Sequence, residues 1–177
     1  MTNIEKIEKT MKIVLDFPKP GISFKDITPI FANPEILKLT IDELANMVKD
    51  QKFDCIAGLE SRGFLLGVPL AMKLNIPFIP VRKKGKLPRA TVSAKYSLEY
   101  GTAEIEIHKD DIKPGSNVLI VDDIVATGGT LVATKQLIEQ VNAKAEHVVV
   151  LGHLADMPQG VANVENNGLK LHYLFKL

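Results

Sequence analysis

Apolar positions along the chain change their period several times, and each change marks an element. Ile4, Ile7, Met11 and Val14 recur every three or four residues, the spacing of one helix face, so an amphipathic first helix is predicted up to the turn-rich segment at residues 16–21. Asn33 followed by Pro34 has the form of an N-cap and first helical turn, and Ile36, Leu37, Ile41, Leu44, Ala45 and Val48 extend it into a second helix. A strand is then predicted over residues 53–59, a helix over 65–74 and a strand over 78–81. Residues 91–98 and 103–107 alternate apolar with polar and read as a two-stranded excursion. Residues 117–121 form an unbroken apolar run ending in Asp122. A glycine-containing turn follows, then the helical pattern Leu131, Leu137, Ile138 and Val141. Residues 147–151 are another buried strand, and 169–175 are expected to close the sheet.

Strands alternating with helices define an α/β fold with a central, mostly parallel sheet flanked by helices on both faces. Such sheets bind ligands at the carboxyl ends of their strands, which directs attention to Asp122. At 177 residues the chain is expected to be one domain, 1–177. A net charge of +1 creates no general field for nucleic acid, so no nucleic-acid partner is expected and any anion must be held locally. Charges interrupt the first residues and no apolar run reaches membrane-spanning length, so a cytoplasmic protein without a membrane partner is expected. The single cysteine, Cys55, lies in an apolar run and reads as structural. His108, His147, His153 and His172 lack the close spacing of a zinc site.

The chemistry concentrates in Val121-Asp122-Asp123-Ile124-Val125-Ala126-Thr127-Gly128-Gly129-Thr130. Gly128 and Gly129 allow a sharp turn and close approach, so that N–H groups at a helix start can donate to phosphate oxygens, with the Thr127 and Thr130 hydroxyls beside them. The spacing is not that of an ATP-type phosphate loop, because no lysine follows the second glycine, nor that of a dinucleotide fingerprint, because two acids precede the glycines. Carboxylates accept hydrogen bonds, so Asp122 and Asp123 suit vicinal sugar hydroxyls while the turn takes a phosphate. Together they fit a ribose 5-phosphate.

This ten-residue stretch resembles the signature of the type I phosphoribosyltransferases, which bind 5-phosphoribosyl-1-pyrophosphate (PRPP). Residues 17–29, 58–67, 82–88 and 96–101 resemble segments of the adenine-specific branch of that family. The resemblance implies the type I phosphoribosyltransferase fold with a small hood and a flexible catalytic flap. It also implies a reaction joining adenine to PRPP, with AMP and pyrophosphate as products, and a homodimer. By the same resemblance, Asp122, Asp123, Ala126, Thr127, Gly128, Gly129 and Thr130 hold the ribose 5-phosphate. Glu60, Ser61, Arg62, Arg82, Lys83 and Lys86 form the pyrophosphate site, in which a strained peptide beside Ser61 exposes its N–H groups. Ser23, Phe24 and Lys25 form the purine pocket, Phe24 stacking on the base. Lys25 stands where many members have arginine, which keeps the charge and loses the planar fork. Glu99, next to Tyr100 in the flap, is the catalytic acid/base candidate, because adenine must lose its N9 proton as it attacks. Mg2+ is implied as a passenger on PRPP, without a protein cage of its own. The flap, residues 83–100, is expected to be poorly ordered until ligand binds.

One segment departs from the family. Where members carry an E-L-x-x-L-x-G-like stretch over the purine, this chain has His153-Leu154-Ala155-Asp156-Met157-Pro158-Gln159-Gly160. Met157 is the candidate apolar lid there. That departure leaves open an enzyme for another purine base. A non-enzymatic PRPP or AMP sensor is the rival from a different class; the chain carries no added helix-turn-helix segment to serve it.

Overall fold

The computed structural model describes residues 1–21, 23–98 and 101–177. Its elements in chain order are α1 (Asn3–Thr10), β1 (Lys12–Leu15), β2 (Ser23–Asp26), α2 (Thr28–Phe31), α3 (Pro34–Met47), β3 (Cys55–Leu59), α4 (Arg62–Leu74), β4 (Phe78–Lys83), β5 (Thr91–Leu98), β6 (Gly101–His108), β7 (Asn117–Val121), β8 (Ile124–Val125), α5 (Gly129–Gln140), β9 (Lys144–His153), α6 (Pro158–Asn166) and β10 (Lys170–Lys176). The main sheet runs β10-β9-β7-β3-β4-β6-β5, with β8 pairing β9 off that path. From β10 to β4 every pairing is parallel, and the β4–β6 and β6–β5 pairings are antiparallel.

Parity of the central strands explains the layering. Successive side chains on a strand point to opposite faces. Ala57, Val118, Ile120, Val148 and Val150 accordingly join the apolar cluster that contains Leu131, Leu137 and Ile138 of α5. Ile56, Leu119, Val121, Val149 and Leu151 join the opposite cluster, with Ile41 and Leu44 of α3, Leu66 and Leu70 of α4, and Ile7 of α1. Strands covered on both faces must be apolar at every position, which is why these runs do not alternate. Asn33 caps α3 as its sequence position predicts, its side chain accepting from the N–H groups of Glu35 (3.0 Å) and Ile36 (3.2 Å). Among the described residues, no helix is long and apolar enough to cross a membrane.

Three expectations change. The first helix ends at Thr10, where Met11 turns extended, and Lys12–Leu15 pairs antiparallel with Ser23–Asp26 instead of continuing the helix. Over so few residues helical spacing is hard to separate from a short strand, and β-branched Ile13 and Val14 favour the latter. The resulting two-stranded hood is separate from the main sheet. Residues 158–166, whose sequence pattern predicts no element, form α6. The paired excursion is longer than its alternation suggests, because β6 begins at Gly101.

The chain leaves β3 through α4 toward β4 on one side, whereas β7 flanks β3 on the other. The crevice outside the ends of β3 and β7 is therefore a switch point of the sheet, where two loops diverge and leave room for a ligand.

Candidate active site

Two loops meet at that crevice. After β3, the Glu60–Ser61 peptide is cis and α4 starts at Arg62. After β7, Asp122 and Asp123 lead through β8 to Ala126, Thr127 and Gly128, and α5 begins at Gly129. The Arg62 Nε lies 2.6 Å from Asp123 Oδ2, so one ion pair ties the two loops together. The guanidinium side chain is 44% exposed and the carboxylate only 7%. Asp123 Oδ2 nevertheless has no hydrogen-bond donor. It has a cation beside it and no N–H directed at it, and a buried acceptor in that condition is costly unless a ligand hydroxyl completes it.

Asp122 accepts the Asp123 N–H at 2.8 Å on its Oδ1. Burial, reinforced by the adjacent Asp123 charge, pushes its pKa well above the ordinary carboxylate range. The two carboxyl groups thus resist carrying both charges at once.

The phosphate-type turn is built against α6. Gly128 adopts a left-handed conformation (φ 76°), and a Cβ there would come within 2.7 Å of the Gly160 carbonyl oxygen. A Cβ on Gly160 would sit 1.7 Å from the Ala126 carbonyl oxygen. Asn163 Nδ2 donates to the Thr127 carbonyl at 2.9 Å. A small cavity of about 90 Å³ is bounded by Asp122, Ala126, Thr127, Gly128 and Thr130. A second, about 290 Å³, has Lys95, Thr127, Gly129, Gln136 and Asn163 in its walls. No acidic side chain occupies the first turn of α5, so the positive end of the helix dipole is uncompensated there.

On the β3 side, Glu60 organises the basic segment. Its carboxylate accepts from Arg82 Nε (3.2 Å), from the Lys83 backbone N–H (3.1 Å) and from the Lys86 ammonium. Burial opposes ionisation of Glu60, but the hydrogen bonds from Lys86, Lys83 and Arg82 outweigh it and hold its pKa down to about 2. Glu60 therefore gathers cations instead of facing an anion. The Lys83 side chain is exposed.

A cavity of about 410 Å³ lies beside both loops, walled by Ser23, Phe24, Lys25, Arg62, Ile124, Ala126, Leu154, Ala155, Asp156 and Leu177. Phe24 is held edge-to-face by Phe17 at 5.3 Å. The hood thus brings the expected Ser23, Phe24 and Lys25 to the same space as Arg62. Met157 does not line it: it caps α6, and the apolar wall comes from Leu154 and Leu177. Glu99 and Tyr100 lie outside the described residues. Cys55 is buried, and burial, with Asp54 nearby, pushes its thiol up to about 11, which suits a packing role. Sequence reasoning missed Gly160, Asn163 and Leu154. Pro158 was the available signal for the first two, since proline favours a first helical turn; nothing local marked Leu154.

Strand ends that present paired acids, an amide-rich turn and a gathered cation cluster define a class. Residues 26–172 match the family model described as the phosphoribosyl transferase domain. The chain is 50% identical over 151 residues to an adenine phosphoribosyltransferase of Clostridium botulinum, covering 85% of this chain and 88% of that one. It superposes on the crystal structure of adenine phosphoribosyltransferase from Thermoanaerobacter pseudethanolicus with a TM-score of 0.91 at 42% identity, covering 98% and 99% of the two chains. The Saccharomyces cerevisiae adenine phosphoribosyltransferase, complexed with an imino-altritol bisphosphate and adenine, matches with a TM-score of 0.89 at 38% identity over 98% of each chain. The chain belongs to the adenine phosphoribosyltransferase family.

Proposed function

We propose that this chain, acting as one catalytic unit over residues 1–177, transfers the phosphoribosyl group of PRPP to adenine and releases AMP and pyrophosphate. The observation that supports this reading most is the Arg62–Asp123 contact: one ion pair, beside an aromatic-walled cavity, joins the acid read here as holding the diol to the guanidinium read here as meeting the pyrophosphate. Breaking the bond from C1 of the ribose to pyrophosphate leaves positive charge on the sugar and negative charge on the diphosphate. Pre-placed groups that stabilise both lower the barrier.

Asp122 and Asp123 orient the ribose hydroxyls, and the amides from Ala126 to Thr130, with the Thr127 and Thr130 hydroxyls, grip the 5-phosphate. Arg62 sits beside Asp123 as an ion pair without a directed hydrogen bond, and its N–H groups are available for paired pyrophosphate oxygens. Arg82, Lys83 and Lys86, with the Ser61 loop, offset the leaving group's remaining charge. Phe24 stacks on adenine, with Ser23 and Lys25 at its edge. Glu99 takes up the proton from N9, and closure of the flap excludes water from the sugar carbon.

Mg2+ would supply further charge neutralisation on the diphosphate. Among the described residues no three His, Cys, Asp or Glu side chains gather as a metal site. The under-bonded Asp123 carboxylate would suit an ion that arrives on PRPP and keeps several waters, since Mg2+ needs only one or two carboxylates beside phosphate oxygens. The homodimer finds support in Leu65, Val68 and Met72 on α4, which are 49%, 44% and 77% exposed. A run of exposed apolar side chains on one helix suits contact with a second copy.

The test is an incubation of purified protein with PRPP, Mg2+ and adenine, hypoxanthine or guanine in separate reactions. AMP and pyrophosphate should appear in equal amounts with adenine. Turnover confined to another base would overturn the specificity, and absence of any PRPP or AMP binding would overturn the function.

A further inference from the structure

We infer that Glu106 is a positioning residue for the pyrophosphate site: its carboxylate fixes the backbone turn that carries Lys86 and braces Arg82. This rests on the reading of Arg82 and Lys86 as leaving-group cations given above. Glu106 lies on β6, paired in register with Arg82 of β4 on one side and Ser93 of β5 on the other. It is 4% exposed. Its Oε1 accepts three consecutive backbone N–H groups, from Gly85 (3.0 Å), Lys86 (3.1 Å) and Leu87 (3.1 Å). Its Oε2 accepts the Thr91 hydroxyl at 3.2 Å.

Three successive amides converging on one oxygen form an anion-binding concavity, here filled by a side chain from within the fold. The consequence passes outward through Lys86. Its carbonyl accepts from an Arg82 Nη at 3.3 Å, and its ammonium reaches Glu60. Arg82 also bonds Glu60 through Nε. The cations of residues 82–86 would repel each other and spread if their turn were free. Two carboxylates prevent this: Glu60 gathers the side chains, and Glu106 holds the main chain from which Lys86 projects. Arg62 and the 5-phosphate turn share none of these bonds, so loss of Glu106 should be felt at the pyrophosphate end alone.

Calorimetry with Mg2+-pyrophosphate and with AMP, and steady-state kinetics, compare the wild type with Glu106→Ala and Glu106→Gln. Glu106→Ala removes the acceptor that three consecutive amides share, which frees their turn, and should weaken pyrophosphate binding and raise KM for PRPP by about ten-fold or more, while AMP affinity stays within about two-fold. Glu106→Gln keeps a carbonyl oxygen for the amides and should recover most of the loss. If Glu106→Ala does not fold, Gly85→Ala perturbs the same turn from outside, since Gly85 is exposed at φ +83° with open space around a Cβ; it too should weaken pyrophosphate and spare AMP. Unchanged pyrophosphate affinity in the folded variants, an equal loss of AMP affinity, or a Gln variant as impaired as the Ala variant would overturn the inference. A wild-type protein that binds neither pyrophosphate nor PRPP would sink the underlying reading as well. Wild-type binding with insensitive variants would sink this inference alone.

Discussion

Gly160→Ala offers a sharp test of the contact between α6 and the phosphate-type turn. A Cβ at Gly160 would lie 1.7 Å from the Ala126 carbonyl oxygen and 2.8 Å from its carbonyl carbon. Ordinary contact begins near 3.4 Å, so the helix and the turn must part by about 1.7 Å. Both clashing groups are backbone, and no side-chain rotation relieves them. Replacing a helical glycine with alanine favours the helix by about 1 kcal/mol, whereas overpacking costs roughly 1–3 kcal/mol, so the net effect on stability is a modest loss. At roughly 2–4 °C per kcal/mol for a chain of this size, Tm should fall by only a few degrees. Function should suffer far more, because misplacing a binding group by about 1 Å can cost on the order of 100-fold. AMP affinity by calorimetry and kcat/KM for PRPP should drop by about that factor. Gly115→Ala is the control: Gly115 has φ +84° and nothing within 4 Å of a Cβ, so it carries backbone strain without touching the turn. Wild-type AMP affinity in Gly160→Ala, or the same affinity loss in Gly115→Ala, would refute the reasoning.

Two further outcomes follow from the same geometry. Glu60 is held at about 2, below its ordinary 4.5, so the stability it contributes is complete at neutral pH, fades as pH falls below 4.5 and is lost near 2. The difference in Tm between wild type and Glu60→Gln should therefore be constant from neutral pH down to about pH 5.5 and close between about 4.5 and 2, and a gap independent of pH would count against the cation-gathering role. Phe24→Ala should raise KM for adenine by about ten-fold through lost stacking and leave KM for PRPP nearly unchanged, and parallel rises in both constants would show that Phe24 supports the whole site instead.

How much of this was legible in the chain depends on the range over which each feature is decided. The runs at 117–121 and 147–151 are apolar at every position because both faces of those strands are covered, so sheet and layers could be read locally. Asn33 and Pro34 declared α3 for a similarly local reason. The hood was obscured because its strands are four residues each and Ile13 and Leu15 are exposed, which left no burial pattern to detect. Pro158 breaks the segment that family members carry over the purine, yet it opens the helix whose Gly160 and Asn163 brace the turn.

The site divides in the same way. Acids, glycines and threonines that act through their own loop were visible as a motif, because their function follows from adjacency. Glu60 and Glu106 were not assignable from adjacency, since their partners lie 15 to 26 residues away in sequence and meet them only through the β3–β4, β4–β6 and β5–β6 pairings and the loop after β3. An isolated carboxylate in a sequence reads equally well as a ligand for substrate or as a tether for the cations that bind it. Only the folded contacts distinguish the two, and here they make Glu60 a tether: its carboxylate already bonds Arg82 and Lys86 and holds the two cations side by side, which under the proposed function leaves their remaining donors for a diphosphate.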